Sequence, residues 1–245
     1  ELAQASNSIA QYEMGNFLSK KDQQQALEWY TLAAKQHNPN ALFTFGHFHY
    51  SKNNAEKAFE LFSIAANQGH IESMYFRGWC LVNAHGIEKD LEKGFQNCIF
   101  SADSGYETAQ AYVGRCYLTG DGLSKDLNKA VHYLQLAADQ EQVEAECMLG
   151  ECYLKGNGVP QDFDMAMKYI SRANNKDHAN AQYNIGLIYY KGLGQTQDVI
   201  QALKYFSDAA KNGSADAEYQ LGLCYEYGSG VEQSGTVAYQ YYKAA

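Results

Sequence analysis

Apolar residues along this chain recur at steps of three and four positions, and short polar or glycine-containing stretches interrupt them at regular intervals. Segments such as ALEWYTLAA and AFELFSIAA place their apolar side chains on one face when wound at about 3.6 residues per turn. The pattern therefore predicts a succession of amphipathic helices joined by short loops.

A short motif that ends in glycine recurs along the chain. These marker glycines are separated by 31, 32, 36, 36, 36 and 36 residues, so seven repeats fill nearly the whole sequence. Repeats of this length are typical of solenoids, in which each repeat contains one supersecondary motif. The marker glycines are Gly15, Gly46, Gly78, Gly114, Gly150, Gly186 and Gly222.

Each repeat is predicted to be a hairpin of two helices, of which the first contains the marker glycine. In the last five repeats a glycine-containing loop follows the first helix, and glycines such as Gly120 and Gly122 suit a positive φ after a helix end. The loops of the first two repeats are shorter and have no glycine pair. The expected N-caps of the later second helices are Asp90, Asp126, Asp162, Asp198 and Ser234.

Small residues indicate how the two helices meet. The marker glycine and paired alanines such as Ala137 and Ala138 allow a close approach, and a tyrosine such as Tyr117 fills the space beside it. One such hairpin cannot bury its own apolar face, so neighbouring repeats must stack.

The stretch AQAYVGRCYLTGDGLSKDLNKAVHYLQLAA, from Ala109 onward, closely resembles the Sel-one-like repeat (SLR) family, a relative of the tetratricopeptide repeats. The resemblance covers roughly residues 5–245 and implies an all-α fold, a right-handed α/α superhelical solenoid of about seven helix-turn-helix repeats. Members of the family act mainly as adaptors, and some bacterial members are effectors or immunity proteins. We expect a single domain over 1–245, with repeats at about 10–40, 41–72, 73–108, 109–144, 145–180, 181–216 and 217–245.

The formal net charge is −9 and there are no basic runs, which argues against nucleic acid and against an anionic membrane surface as partners. No apolar window is long enough to span a bilayer. We therefore expect a protein partner, with no nucleic acid, no membrane insertion and no small-molecule substrate.

No catalytic motif is apparent. The Gly-x-Gly pairs recur in phase with the repeat, and the sequence has neither a P-loop nor a serine followed three residues later by lysine. The histidines lack metal-ligand spacing. We expect no catalytic site, no cofactor and no metal.

The cysteines occur mostly at one repeat position, two residues after the marker glycine, as at Cys80 and Cys116. Equivalent positions in neighbouring repeats are too far apart for a disulfide. Small apolar filling and reduced thiols are therefore expected, which weakly favours a cytoplasmic setting.

By analogy with tetratricopeptide repeats, three positions of each first helix are predicted to face the concave groove. Trp79 is the strongest candidate, because tryptophan and arginine dominate binding hot spots and its position is not one that the repeat pattern specifies. The alternatives are that Trp79 packs against its neighbouring helix and that the tyrosines before the glycines are structural. The candidate partner-binding residues are Phe43, His47, Tyr50, Tyr75, Trp79, Arg115, Glu151, Tyr183, Leu187, Tyr190 and Tyr219.

Arg77 occupies the place of a core residue that is apolar in the other repeats. An unpaired buried arginine is costly, so either Phe76 enters the core instead or Arg77 pairs with an acid such as Glu72.

Three functions compete at this point. An interaction scaffold that holds a partner in the groove is the leading hypothesis. An inhibitor or immunity protein that blocks an enzyme is the second, and a peptidoglycan or β-lactam hydrolase is the third.

Overall fold

The computed structural model describes residues 7–245, and this part of the chain folds into α-helices and loops without strands. The predicted all-α solenoid of helical hairpins is confirmed, although the first six residues of the predicted domain lie outside the described part. The helices are α1 (Ser8–Leu18), α2 (Gln23–Lys35), α3 (Pro39–Ser51), α4 (Ala55–Asn67), α5 (Ile71–Asn83), α6 (Leu91–Asp103), α7 (Glu107–Thr119), α8 (Leu127–Asp139), α9 (Val143–Lys155), α10 (Phe163–Asn174), α11 (Ala179–Lys191), α12 (Val199–Lys211), α13 (Ala215–Tyr227) and α14 (Gly235–Ala244).

The helices are grouped into two compact units. Of the described residues, the first compact unit contains 7–113 together with Asp121–Ser124, and the second contains Gly114–Gly120 and Lys125–Ala245. Within each unit, odd-numbered helices are the first helices of the hairpins and even-numbered helices are the second.

The predicted helix caps are present. The side chains of Asp90, Asp126, Asp162, Asp198 and Ser234 each accept a hydrogen bond from a backbone N–H in the first turn of the following second helix. Gly120 and Gly122 have φ values of +83° and +74°, as the loop pattern predicted. The caps fix where each second helix begins and hence its register against the first.

The marker glycines lie where the two helices of a hairpin come closest. A Cβ atom added to Gly114 would lie 2.9 Å from Cγ of Leu134, and one added to Gly222 would lie 2.5 Å from Cε1 of Tyr242. These distances are too short for a methyl group, so glycine is required by the approach of the second helix.

Stacked tyrosine pairs flank the same contact in the last four repeats. Tyr117 stacks on Tyr133 with ring centroids 6.0 Å apart and an interplanar angle of 6°, and Tyr153 stacks on Tyr169 at 5.8 Å and 5°. The pairs Tyr189–Tyr205 and Tyr225–Tyr241 have the same arrangement. Each pair joins the first helix to the second helix of its own hairpin.

All six cysteines are free and buried, which confirms their expected role as small packing residues. Burial raises the pKa of the Cys80 and Cys147 thiols to about 12 and that of Cys152 to about 11. They are therefore protonated at neutral pH and poorly suited to nucleophilic chemistry.

The partner of Arg77 differs from the acid that the sequence suggested. Its Nε and Nη2 atoms donate to Oδ1 of Asn97, the former at 3.0 Å, and its Nη1 atom donates to Oδ1 of Asn67 at 2.8 Å. Phe76 is only partly buried and packs against the cluster that contains Phe62, while Gly78 still meets Gly94 and Cys98 of α6. The helix is therefore not turned, and Arg77 is satisfied by amides rather than by an acid. Asn97 stands where later repeats have the second tyrosine of the stacked pair, which leaves room for the guanidinium.

Candidate binding surface on the first helices

In the first compact unit, Phe43 and His47 of α3 belong to an aromatic cluster with Phe62 of α4 and Phe76 of α5. His47 meets Phe76 edge to face with ring centroids 4.3 Å apart and Phe62 at 5.4 Å. Desolvation by these rings lowers the pKa of His47. Phe43 and His47 are therefore partly buried packing residues whose outer edges remain accessible.

Tyr50, Trp79 and His85 form a second aromatic group next to the first. The ring of Tyr50 lies 5.8 Å from Trp79 and 4.9 Å from His85, and Trp79 lies 5.6 Å from His85. Tyr50 is 38% exposed, whereas Trp79 is only partly accessible and packs against the cluster containing Phe62. Trp79 thus packs against neighbouring helices, as one alternative held, and still presents part of its ring beside an exposed tyrosine.

Tyr75 is buried, with 6% exposure, and its ring meets those of Phe76, Tyr106 and Tyr112. Tyr75 is therefore a packing residue with little surface open to a partner. Arg115 belongs to the second compact unit and is partly buried there.

In the second compact unit, three successive first helices enclose a cavity of about 610 Å³. Three of the predicted residues line it, namely Glu151 of α9 and Tyr183 and Leu187 of α11. The remaining lining residues are Leu154, Lys155, Gln161, Asn180, Asn184, Lys191, Leu193 and Asp216. Leucine and tyrosine side chains thus share one cavity with amides and charges of both signs.

Asn184 has the most constrained side chain in this cavity. It is 4% exposed, and its Nδ2 atom donates to Oε1 of Glu151 at 2.9 Å. Nζ of Lys155 lies 2.9 Å from the other oxygen of Glu151. Among the described residues none donates a hydrogen bond to Oδ1 of Asn184, so this oxygen is an oriented acceptor at the cavity wall.

Two carboxylates are near enough to Tyr183 to affect the pKa of its hydroxyl. Desolvation is the largest cause that raises the pKa of its hydroxyl, and the nearby charges of Asp216 and Glu151 add to it. Asp216 is exposed and lines the same cavity from α13. The cavity therefore offers hydrogen-bond acceptors and an aromatic wall to an incoming group.

Tyr190 and Tyr219 do not line this cavity. The ring of Tyr190 packs 6.1 Å from Phe206, and Tyr219 is 54% exposed with its ring 5.6 Å from Tyr242. The sequence reasoning missed Asn184 and Asp216, because neither stands at a position taken to face the groove. The spacing of Asn180 and Asn184 on one helical face was the available signal.

Across residues 7–245, no cluster of three or more histidine, cysteine or acidic side chains has the geometry of a metal site. In the same range, none of the helices combines the length and apolar character needed to cross a membrane.

A comparison with models of known protein families finds matches to one family along the chain. A family model described as Sel1 repeat matches residues 3–38, 42–70, 71–106, 108–141, 143–178, 179–214 and 215–245. A comparison with curated proteins finds no significant match.

Several solved structures are similar to this chain. A protective antigen of uropathogenic Escherichia coli strains with an SLR fold is 25% identical, with a TM-score of 0.78 over 99% of this chain and 54% of the antigen, so the chain spans about half of that protein's length. A Sel1 repeat protein from Oxalobacter formigenes is 27% identical, with a TM-score of 0.72 over 99% of this chain and 72% of that protein. The immunity protein Pa5087 from Pseudomonas aeruginosa is 19% identical, with a TM-score of 0.55 over 84% of this chain and 80% of that protein, and at this identity it is similar in fold alone.

Proposed function

Because the chain belongs to the Sel1 repeat family, whose members are generally non-catalytic protein-interaction modules, we propose that it is a scaffold that binds a partner protein on its first helices. The observation that carries the proposal is the cavity in the second compact unit, where residues of α9, α11 and α13 converge. Its occupant is a segment of the partner, held by shape and by hydrogen bonds rather than by covalent chemistry.

The lining residues support an extended segment as the occupant. Asn184 presents an oriented carbonyl oxygen, which suits a backbone N–H of the partner. Leu154 and Leu187 supply an apolar wall, and Asp216 and Lys191 add charges of both signs to those of the Glu151–Lys155 ion pair. Glu151 acts through Asn184, because its carboxylate accepts from Nδ2 and so fixes the orientation of the amide.

The test compares one blocking variant with one matched control. Asn180 is exposed and lines the cavity, so Asn180→Trp closes the cavity with little effect on the core. Asn175 is exposed at the end of α10 and does not line the cavity, so Asn175→Trp adds the same bulk elsewhere. The native chain and both variants are used to capture proteins from the source cells, and each captured protein is identified by mass spectrometry.

We expect a partner that the native chain and Asn175→Trp retain and that Asn180→Trp loses. With that partner purified, Asn180→Trp should weaken binding at least about tenfold, which corresponds to about 1.4 kcal/mol. Equal binding by all three proteins, with circular dichroism showing all three folded, rules out this cavity as the binding site.

Two further candidate residues, Trp79 of the first compact unit and Arg115 of the second, are tested separately. Trp79→Ala removes the ring beside Tyr50, and Arg115→Glu reverses a charge in the second compact unit. If either residue belongs to the binding surface, its variant weakens the same partner while circular dichroism shows that the variant is still folded. Normal binding by both variants excludes these positions and leaves the cavity around Asn184 as the site.

The inhibitor or immunity role shares the same fold and is a narrower form of partner binding. The similarity to immunity protein Pa5087 is limited to fold at 19% identity, so the broader scaffold function is the one proposed.

A further inference from the structure

The loops of the five longer repeats share a packing position. In each, the glycine at the third position of the loop lies against the start of the second helix of the preceding repeat. A Cβ atom on Gly122 would lie 2.7 Å from Cζ of Phe95, and one on Gly230 would lie 2.7 Å from Cγ1 of Val199. Gly86, Gly158 and Gly194 approach Ala55, Leu127 and Phe163 in the same way.

These contacts all fall within the first five residues of the contacted helices. Ala55, Leu127, Phe163 and Val199 are the first residues of their helices, and Phe95 is the fifth residue of α6. The loop thus covers the first turn and a half of the preceding second helix. An interface of this kind occurs five times within residues 7–245.

The loop of the second repeat provides no such cover for the second helix of the first repeat. This loop runs from Lys52 to Asn54, is four residues shorter than the later loops and contains no glycine. The helix that such a loop would cover is α2, whose first and fifth residues are Gln23 and Leu27. Both line an open cavity of about 250 Å³ between α2 and α3.

The cavity is apolar and its walls are exposed. Leu27 is 38% exposed and Phe48 is 39% exposed. Phe48 stands two residues after the marker glycine, where Cys80, Cys116, Cys152, Ile188 and Cys224 are 0%, 1%, 0%, 1% and 0% exposed. The position that is fully buried in every longer repeat is therefore open here.

We propose that this cavity is a second docking site and that its occupant is a partner loop in which a glycine turn presents an aliphatic side chain. The chain's own loops define that chemistry, because the glycine at the third loop position is followed by Ile87, Leu123, Val159 and Val231 in four of the five longer repeats. The docked loop continues, in a sixth copy, an interface already established within the chain. A volume of about 250 Å³ is below the range for drug-sized ligands and suits one side chain with its turn.

The site does not depend on the cavity around Asn184. Its residues belong to α2, α3 and the end of α1, all in the first compact unit. If the experiments disprove one of the two sites, the proposal for the other is therefore unaffected.

The experiment uses a displayed library of disulfide-cyclised peptides, selected against the full chain. We expect enriched peptides that contain glycine followed by Leu, Ile or Val within the turn. Three variants then locate their binding. The first replaces Ser51–Asn53 with a copy of Thr119–Lys125, TGDGLSK, which lengthens the loop by four residues and fills the cavity from within.

The other two variants are a matched pair on α2. Leu27→Lys places a charge in the cavity, while Leu32→Lys places the same charge at a residue that is 42% exposed and outside it. We expect the loop replacement and Leu27→Lys each to weaken the peptides at least about tenfold, and Leu32→Lys and Asn180→Trp to leave them unchanged. Circular dichroism verifies that every variant is folded.

Four results overturn the proposal. They are enrichment of no peptide, enrichment of peptides without a glycine–aliphatic turn, equal binding to the loop-replaced chain, and self-association that the loop replacement abolishes. The last result, measured by sedimentation velocity, would make a second copy the occupant.

Discussion

Arg172 of α10 reaches Glu146 of α9, with its Nη2 atom 2.8 Å from Oε1 of a carboxylate that is only 1% exposed. Lys176 adds a second cation, with Nζ 3.5 Å from the other oxygen. The same two cations donate to the preceding repeat, Arg172 to the carbonyl of Ala138 and Lys176 to that of Glu141. Within the second compact unit, this ionic cluster ties the α9–α10 hairpin to the end of α8.

Removing a cation from this cluster is expected to destabilise the protein strongly. Neither oxygen of Glu146 accepts an aligned hydrogen bond from the described residues, so the charge is compensated by the ion pairs. We expect Arg172→Met to lower the free energy of unfolding by about 3 kcal/mol, because it leaves a buried carboxylate with one partly exposed lysine. Urea denaturation followed by circular dichroism measures the change.

The control for this prediction is the same substitution in a Glu146→Gln background. Glutamine stands at the equivalent position as Gln11, Gln110 and Gln182, which are 6%, 3% and 6% exposed, so the amide fits this place. Arg172→Met should then cost less than about 1 kcal/mol. An equal cost in both backgrounds would show that lost packing, not the buried charge, explains the effect.

The close approach at the marker glycines predicts a large cost for one methyl group. A Cβ atom on Gly186 would lie 2.5 Å from Cε1 of Phe206, which is fully buried. We expect Gly186→Ala to lower the free energy of unfolding by about 2–3 kcal/mol. Gly235→Ala, at the first residue of α14 with no atom within 4 Å of the new Cβ, should be neutral or slightly stabilising. Similar effects at both sites, measured by thermal unfolding, would contradict the packing argument.

The cap of α5 predicts a loss of stability in mild acid. Nδ1 of His70 accepts from the backbone N–H of Ser73, and burial lowers the pKa of His70 although Glu72 opposes the shift. A histidine whose pKa is lower in the folded than in the unfolded state contributes stability that is present above the unfolded value of about 6.5 and is lost as the pH falls below it.

We expect the free energy of unfolding to decrease from pH 7 to pH 5, and His70→Asn to reduce that slope. Asn38 caps α3 at the equivalent position through its Oδ1 atom, so asparagine keeps the cap without titrating in this range. A slope that is unchanged in His70→Asn would assign the acid sensitivity to another group, with His47 as the next candidate because burial also lowers its pKa.

The buried thiols predict a loss of stability at alkaline pH. Burial, with a smaller effect of Glu151, raises the pKa of Cys152 to about 11 from an ordinary value near 9. The protonated thiol therefore contributes stability that is complete below the ordinary value and is lost as the pH rises toward the raised one. Between pH 8 and pH 11, the free energy of unfolding of the native chain should fall relative to that of Cys152→Ala. A difference between the two proteins that stays constant over this range would contradict the assignment.

Much of the fold could be predicted because its determinants are local. Asp126 caps α8 through contacts two and three residues away, and Gly114 meets Leu134 within one hairpin. Such features recur with the repeat and are therefore visible in the sequence. The candidate surface could be predicted less fully, since Tyr75 is buried and Asn184, which lines the cavity of the second compact unit, was not anticipated.

Long-range pairings were beyond the sequence. The choice of Asn97 rather than an acid as the partner of Arg77 depends on how closely α5 and α6 pack, and many polar residues lie within reach along the chain. The pairing of Glu146 with Arg172 occurs within one repeat, so no recurring sequence pattern indicates it.

The sequence by itself determined the helical hairpins, their caps and the glycine contacts, because each depends on residues within one repeat at fixed spacing. Only the tertiary structure decided which surfaces stay open. The short loop of the second repeat was visible from the start, but its consequence at Leu27 and Phe48 depends on what the equivalent loops cover in the other repeats. Whether a side chain is buried depends on what the neighbouring repeat places against it, and this is decided only when the repeats pack.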